Sequence, residues 1–291
     1  MPKHTRKKFV RDESSSGRLT IAEGDIALLK SIADYRFMNT QQIAALHHRG
    51  LRNLQRRLAD LFHEKYLERP RWQKTSNLTT GDMVYSLGEQ GVEFLFGDQN
   101  EERKEKLRQV KYDHDTTFPH ISHQLMISEF RATLTLALET FSIKATLSRW
   151  EQGRDLKNLL APRGGKPELE PDAFFTIDTE KGRLNFFLEA DRGSEGSLKF
   201  LWKMKTYWKW HETKFCEKTL GIARFRVLTI TPDATREKLL RRTTKEADPL
   251  KEGKLMFLFA SEKEFSLKEP EKMLAPAWKS PKDEEKRTLI Q

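Results

Sequence analysis

Residues 171–193 read PDAFFTIDTEKGRLNFFLEADRG, a run in which Asp172, Glu189 and Asp191 flank two apolar stretches. Turn-forming residues 178–182 lie at its centre, so the run predicts a β-hairpin. Positions 172 and 189 are equidistant from that turn, and in the simplest register Asp172 and Glu189 face each other. Side chains alternate along a strand. One face then holds Asp172, Thr176, Asn185, Glu189 and Asp191 together with Phe174 and Phe187, while the other is wholly apolar and needs a helix over it. Carboxylates this close repel unless a cation or a shared proton offsets the repulsion. Oxygen ligands suit Mg²⁺ or Mn²⁺, which in nucleases activates water and stabilises the leaving oxygen, so Asp172 and Glu189 are candidate metal ligands. The alternative is a structural ion-pair network in which Arg192 neutralises Asp172 or Glu189.

A second constellation is basic. Between positions 49 and 74 stand eight basic residues, Arg49, Arg52, Arg56, Arg57, Lys65, Arg69, Arg71 and Lys74, against three acidic ones. Arginine reads guanine edges bidentately, and Lys or Arg neutralises phosphate. Arg52, Asn53 and Arg56, opposite a leucine stripe, are the candidates for base contacts, with Arg49 and Arg57 beside them. Arg69, Arg71 and Lys74 are the candidates for phosphate. The competing reading is a merely solvated helix or a protein-interaction module.

The elements that must position these groups follow from periodicity. Thr20 and Glu23 have capping-box spacing ahead of Ile26, Leu29 and Ala33, and Asn39 with Gln42 repeats the signal for a second helix. A third helix carries Leu51, Leu54, Leu58, Leu61 and Phe62 on one face. Runs 66–72 and 83–87 then predict a hairpin with a long loop, so residues 18–97 form a winged helix-turn-helix. Residues 1–17 are basic and then Ser-rich, a disordered arm of the kind that enters minor grooves. Residues 98–117 are a charged linker, or equally a solvated connecting helix.

The second domain, 118–268, opens with a helix over about 119–141. Strands are expected near 143–150, 172–177, 183–191, 224–231 and 255–260, with helices at 196–211 and 233–243, giving a mixed α/β sheet between helices. On the first of those helices Trp202, Tyr207 and Trp210 read as core, interleaved with Lys199, Lys203, Lys205 and Lys209. Residues 269–291, charged and Pro-containing, read as a disordered tail.

The 291 residues allow two domains, and 53 Lys and Arg against 43 Asp and Glu, net +10, favour a polyanionic partner. A lone Cys216 permits neither an internal disulfide nor a thiolate zinc cluster. No apolar stretch reaches the ~18 residues of a membrane span, and none follows the basic start as in a secretion signal. The expected location is the cytoplasm, with no membrane partner.

The proline before Asp172 and the acid-x-residue pair on the next strand resemble the core of restriction-endonuclease-like folds, whose αβββαβ order also matches. In that superfamily the pattern is P-D, a spacer, then D/E-x-K. Here Asp191 stands where the lysine is usual, and Lys199 or Lys203 on the following helix is the stand-in for water activation. The resemblance therefore implies a catalytic set of Asp172, Glu189, Asp191 and Lys203, with Mg or Mn as cofactor if the site cuts. Glu151 is a further acid beside it.

With the winged helix first, then PDAFF, LEADRGSE and the Lys-rich LWKMKTYWKWH, the chain resembles the replication-relaxation family of bacterial mobile elements. The sharpest piece is E-x-D-R-G-S at residues 189–194. The resemblance implies a non-enzymatic double-stranded DNA-binding protein of a plasmid or integrated element, acting in replication initiation, DNA relaxation or mobilisation. A relaxase or replication protein and a second copy of the chain are the protein partners it leaves open. A Mg-dependent nuclease or nickase and a winged-helix transcription regulator are the alternatives.

Overall fold

A computed structural model of the chain describes residues 9–12, 19–74, 82–140, 144–161, 165–248 and 255–290, with the Lys74 side chain outside that set. The chain is mixed α+β and divides into two compact units, Met1–Ser128 and Glu129–Gln291.

In the first unit α1 (Glu23–Tyr35) starts later than the Thr20 and Glu23 spacing predicts. Ala22 is its N-cap, and the Asp25 carboxylate accepts the Ala22 N–H at 2.8 Å, satisfying a donor that helix formation strands. At α2 (Thr40–Leu46) the predicted capping box is present. Asn39 Oδ1 accepts the Gln42 N–H at 2.9 Å and Gln42 Oε1 accepts the Asn39 N–H at 3.0 Å. In α3 (Leu51–His63) Leu54, Leu58, Leu61 and Phe62 are buried, but Leu51 at the first turn is 38% exposed and leaves the stripe.

Short strands complete this unit: β1 (Met38–Asn39), β2 (Leu67–Glu68) and β3 (Val84–Leu87), with β3 central and antiparallel to both. β2 is shorter than the expected 66–72 because Pro70 lacks a ladder donor, and the chain turns into a 3-10 helix over Arg71–Lys74. Residues 75–81 of the expected loop lie outside the described residues. α4 (Glu89–Phe96) follows.

Of the two readings of the charged stretch the structure has the helix, α5 (Asn100–Asp115), which falls in the first unit. Arg103 pairs with Glu93 at 2.6 Å on the exposed side of α5, and Asp113, its one buried charge among the described residues, pairs with Arg36 at 2.7 Å. Of the basic arm, residues 1–8 and 13–18 lie outside the described residues. Arg11 is engaged with the protein itself, bonding Glu68 at 2.6 Å with its guanidinium over the Phe62 ring.

α6 (Phe118–Thr140) carries the chain into the second unit. A seven-stranded sheet follows in the order β10-β9-β8-β7-β6-β5-β4. Strands β4 (Ala145–Gln152), β5 (Ala173–Thr179) and β6 (Gly182–Ala190) are antiparallel neighbours, and β7 (Arg226–Thr231) and β8 (Phe257–Ser261) continue parallel from β6. Helix α7 (Gly153–Leu160) follows β4, α8 (Ser197–Glu212) and α9 (Phe215–Leu220) join β6 to β7, and α10 (Ala234–Ala247) joins β7 to β8.

The expected disordered tail is instead folded: β9 (Trp278–Lys279) and β10 (Lys286–Arg287) extend the sheet antiparallel. Its composition is polar, yet Met273, Leu274, Trp278 and Leu289 are fully or almost fully buried, and these few anchors suffice to order it. Phe130 on α6 packs with Trp150, Phe175 and Trp278 on the wholly apolar sheet face, the cover that the hairpin required. The opposite face, with Phe174 and Phe187, packs beneath Phe200, Met204, Tyr207 and Trp210 of α8 and Leu240 of α10.

Candidate functional site

Two places gather the residues singled out by the sequence, one in each unit. On α3 the leucine face is turned inward, so Arg49, Arg52, Asn53 and Arg56 are left exposed at and beyond the helix start. No hydrogen bond or ion pair holds the Arg52, Asn53 or Arg56 side chain among the described residues. Arg49 lies against Gly24, where a Cβ would collide with its guanidinium.

The remaining basic candidates divide. Arg57 is half-buried and bound to Asp25, and it donates to the Thr20 carbonyl at 2.8 Å. Burial works to raise the Asp25 carboxyl, but the bonds from Arg57 and Ala22 outweigh it and hold the group below its usual range. Arg69 is buried, donates to the Tyr85 hydroxyl at 3.2 Å and lies over the Phe62 ring at 4.2 Å. It is turned into the protein and is not on the surface where a phosphate contact was expected. Arg71 is exposed, 3.7 Å from Asp115. The Lys74 side chain lies outside the described residues.

In the second unit the hairpin has the expected register, Ala173 opposite Leu188 and Thr176 opposite Asn185, which sets Asp172 beside Glu189 at the strand ends. The Asp172 N–H donates to the Leu188 carbonyl at 3.1 Å, and its Oδ2 accepts the Ala190 N–H at 2.7 Å. Glu189 is 2% exposed. Its Oε1 accepts from the Tyr207 hydroxyl at 2.6 Å and its Oε2 from Lys203 Nζ at 2.8 Å. Lys203 also lies 3.2 Å from Glu195.

Burial pushes the Glu189 carboxyl up to about 7, with the Asp172 charge adding to the rise and Lys203 and Tyr207 opposing it. Burial works against the Lys203 ammonium, but Glu189 and Asp172 outweigh it and raise its pKa. Asp191 receives both Nε and Nη2 of Arg236 at 2.8 Å, and its Oδ1 also accepts the Gly193 N–H at 2.7 Å. That turn needs Gly193, whose φ is 83°. The E-x-D-R-G-S string thus has a local reason: its acids anchor α8 and α10 to the sheet, and its glycine lets the chain leave β6.

This donor set does not fit Mg²⁺ or Mn²⁺. Both oxygens of Glu189 and both of Asp191 already accept bonds from protein cations or hydroxyls, and Lys203 holds the place beside Glu189 that a metal would take. Among the described residues no group of three His, Cys, Asp or Glu is placed to hold a metal ion. At Glu189 the neutralising cation is Lys203 and not Arg192, while Glu151 pairs with Arg149 at 3.1 Å.

Tyr207 and Arg236 are the functional groups that sequence reasoning did not assign. Tyr207 lies one helical turn from Lys203, a spacing that puts both on one face of α8. Nothing local in the sequence couples Arg236 to Asp191, 45 positions away. Trp202, expected in the core with Tyr207 and Trp210, is 47% exposed.

A family model described as Replication-relaxation matches residues 29–224. No curated protein and no solved structure matches the chain. Among the described residues no helix is long and apolar enough to cross a membrane.

Proposed function

The chain belongs to the Replication-relaxation family, and on that premise we propose that it is a double-stranded DNA-binding protein acting in replication initiation, relaxation or mobilisation of a plasmid or other mobile element. The observation that carries this reading is the face of α3, where Arg52, Asn53 and Arg56 are exposed together with no partner among the described residues. The α, β, α, α, β, β order of the first unit and the central place of β3 support a winged helix, which presents such a helix to the major groove. In that arrangement Arg52 and Arg56 reach base edges or phosphates and Asn53 reads adenine. Arg49 and Arg71 lie on the flanking backbone.

The second unit acts as a platform of restriction-endonuclease-like form, supported by the α6-β4-β5-β6-α8-β7-α10-β8 core. Its carboxylates stabilise that platform through Lys203 and Arg236. Selection of bound duplexes from a random library, followed by anisotropy titrations at graded salt, tests the reading. The expected result is an enriched motif and a log–log salt slope of several units, because each neutralised phosphate releases about 0.9 counterion. No enrichment together with a flat slope overturns it.

The rival reading is a nuclease or nickase built on Asp172, Glu189 and Lys203, in which the Lys203 ammonium, 2.8 Å from Glu189, must leave that place for a metal to enter. Lys203 supplies at the cluster the lysine that Asp191 displaces from the strand. Supercoiled plasmid incubated with Mg²⁺ or Mn²⁺ separates the two readings. Nicking that is lost in both Asp172→Ala and Glu189→Ala establishes the enzyme and removes the platform.

A further inference from the structure

At the other end of the hairpin face that bears Asp172 and Glu189 is a cavity of about 340 Å³. It lies among β4, β5, β6 and the turn after α9, lined by Ser148, Arg149, Thr176, Arg183 and Asn185 together with residues 220–223. Thr176 and Asn185 are four positions along their strands from Asp172 and Glu189, roughly 13 Å at ~3.3 Å per residue, so this is a separate place from the carboxylate cluster. We propose that the cavity is an oxyanion site for a phosphate ester, gripped by the guanidinium groups of Arg149 and Arg183.

Both arginines are oriented from behind. Arg149 donates its Nε to Glu151 at 3.1 Å and lies over the Phe174 ring at 5.2 Å, while Arg183 donates its Nε to Asp178 at 2.8 Å. Neither uses a terminal nitrogen in any hydrogen bond among the described residues. Each side chain is thus tethered at Nε with its forked edge unengaged, the geometry that matches two oxygens of a phosphate. The cavity floor is polar and also fixed: the Thr176 hydroxyl donates to Asn185 Oδ1 at 3.1 Å, and Asn185 Nδ2 donates to the Arg224 carbonyl at 3.2 Å. Ligand pockets begin at ~300 Å³. The volume suits a phosphate with a small organic group, or one phosphate of a nucleic-acid backbone with its sugar.

Two sources share this chemistry, and they are separated with the full-length chain. Thermal melting is followed with deoxythymidine 5′-monophosphate and with thymidine as the uncharged control. Anisotropy with duplex DNA is followed in parallel, for wild type, Arg183→Gln and the Arg149→Gln/Arg183→Gln pair. Arg183 is two-thirds exposed, so its single variant keeps the fold and reads the site even if the double variant melts early. A rise of melting temperature with the monophosphate, absent with thymidine and reduced in Arg183→Gln, supports the site with a free phosphorylated ligand. No such rise, but duplex affinity at least three-fold weaker in Arg183→Gln, supports it with the DNA backbone as source. Neither effect overturns it. Because the monophosphate arm does not involve α3, it remains informative if the chain fails to bind duplex DNA.

Discussion

The α3 face and the carboxylate cluster are both charged, but they differ in what their charges meet. At the cluster Glu189, Asp191, Lys203 and Arg236 are closed into bonds with one another, with Tyr207 and with the Gly193 backbone. On α3 the Arg52, Asn53 and Arg56 side chains project into solvent and contribute nothing to the fold through bonds among the described residues. A buried charge whose partners are all within the chain is explained by folding, because breaking the pair strands the other charge in low dielectric. Exposed arginines gathered on one helix with no such partner are not tied up by the fold, and the proposed duplex contact rests on them. Asp25 and Arg57 mark the border between the two kinds: the same helix turns one arginine inward to a carboxylate and leaves its neighbour Arg56 in water.

The contrast is broken most forcefully at Lys203. Lys203→Ala leaves Glu189 buried beside Asp172 without its cation, and a urea melt at pH 8, where the wild-type Glu189 is ionised, is expected to show a loss of about 3 kcal/mol. A loss below ~0.5 kcal/mol would put the cluster in the same class as α3. Next comes pH. The folded chain binds the Glu189 proton near pH 7 and the unfolded chain near 4.5, so stability attributable to this group falls as pH rises between those values. Wild type should therefore lose up to about 3 kcal/mol relative to Glu189→Gln between about pH 5 and pH 8, read from melts of the two proteins across that window. An unchanged difference contradicts the assignment.

Smaller still is Asp25→Ala, which removes both the N-terminal bond of α1 and the partner of Arg57. A loss of about 1–2 kcal/mol is expected in a thermal melt. The smallest change in stability is expected on α3 itself: Arg52→Ala with Arg56→Ala should shift the melt by no more than about 0.5 kcal/mol.

Local patterns were legible in the sequence wherever neighbours decide the outcome. Asn39 and Gln42 announce α2 because each caps the other, and the hairpin register follows from a turn with equal arms, so the facing of Asp172 and Glu189 could be read in advance. Partners distant along the chain were not legible. Arg236 reaches Asp191 only through the crossover that brings α10 over the sheet, and Arg69 turns inward because the Phe62 ring and the Tyr85 hydroxyl await it. Composition misled at the C-terminal end, where a few buried apolar side chains, Met273, Leu274, Trp278 and Leu289 the deepest, order β9 and β10 among many charges. Periodicity misled at Leu51, exposed in the first turn of α3, and at Trp202, which lies two positions from both Phe200 and Met204 and so falls off the stripe that α8 buries.

The most direct test is the salt dependence of duplex binding by wild type and by the Arg52→Ala/Arg56→Ala variant, with a thermal melt of each. Unchanged melting, affinity reduced at least ten-fold and a log–log salt slope shallower by about one to two units are the predicted outcome. A variant that melts like wild type and binds the same duplex with the same affinity and slope would contradict the account.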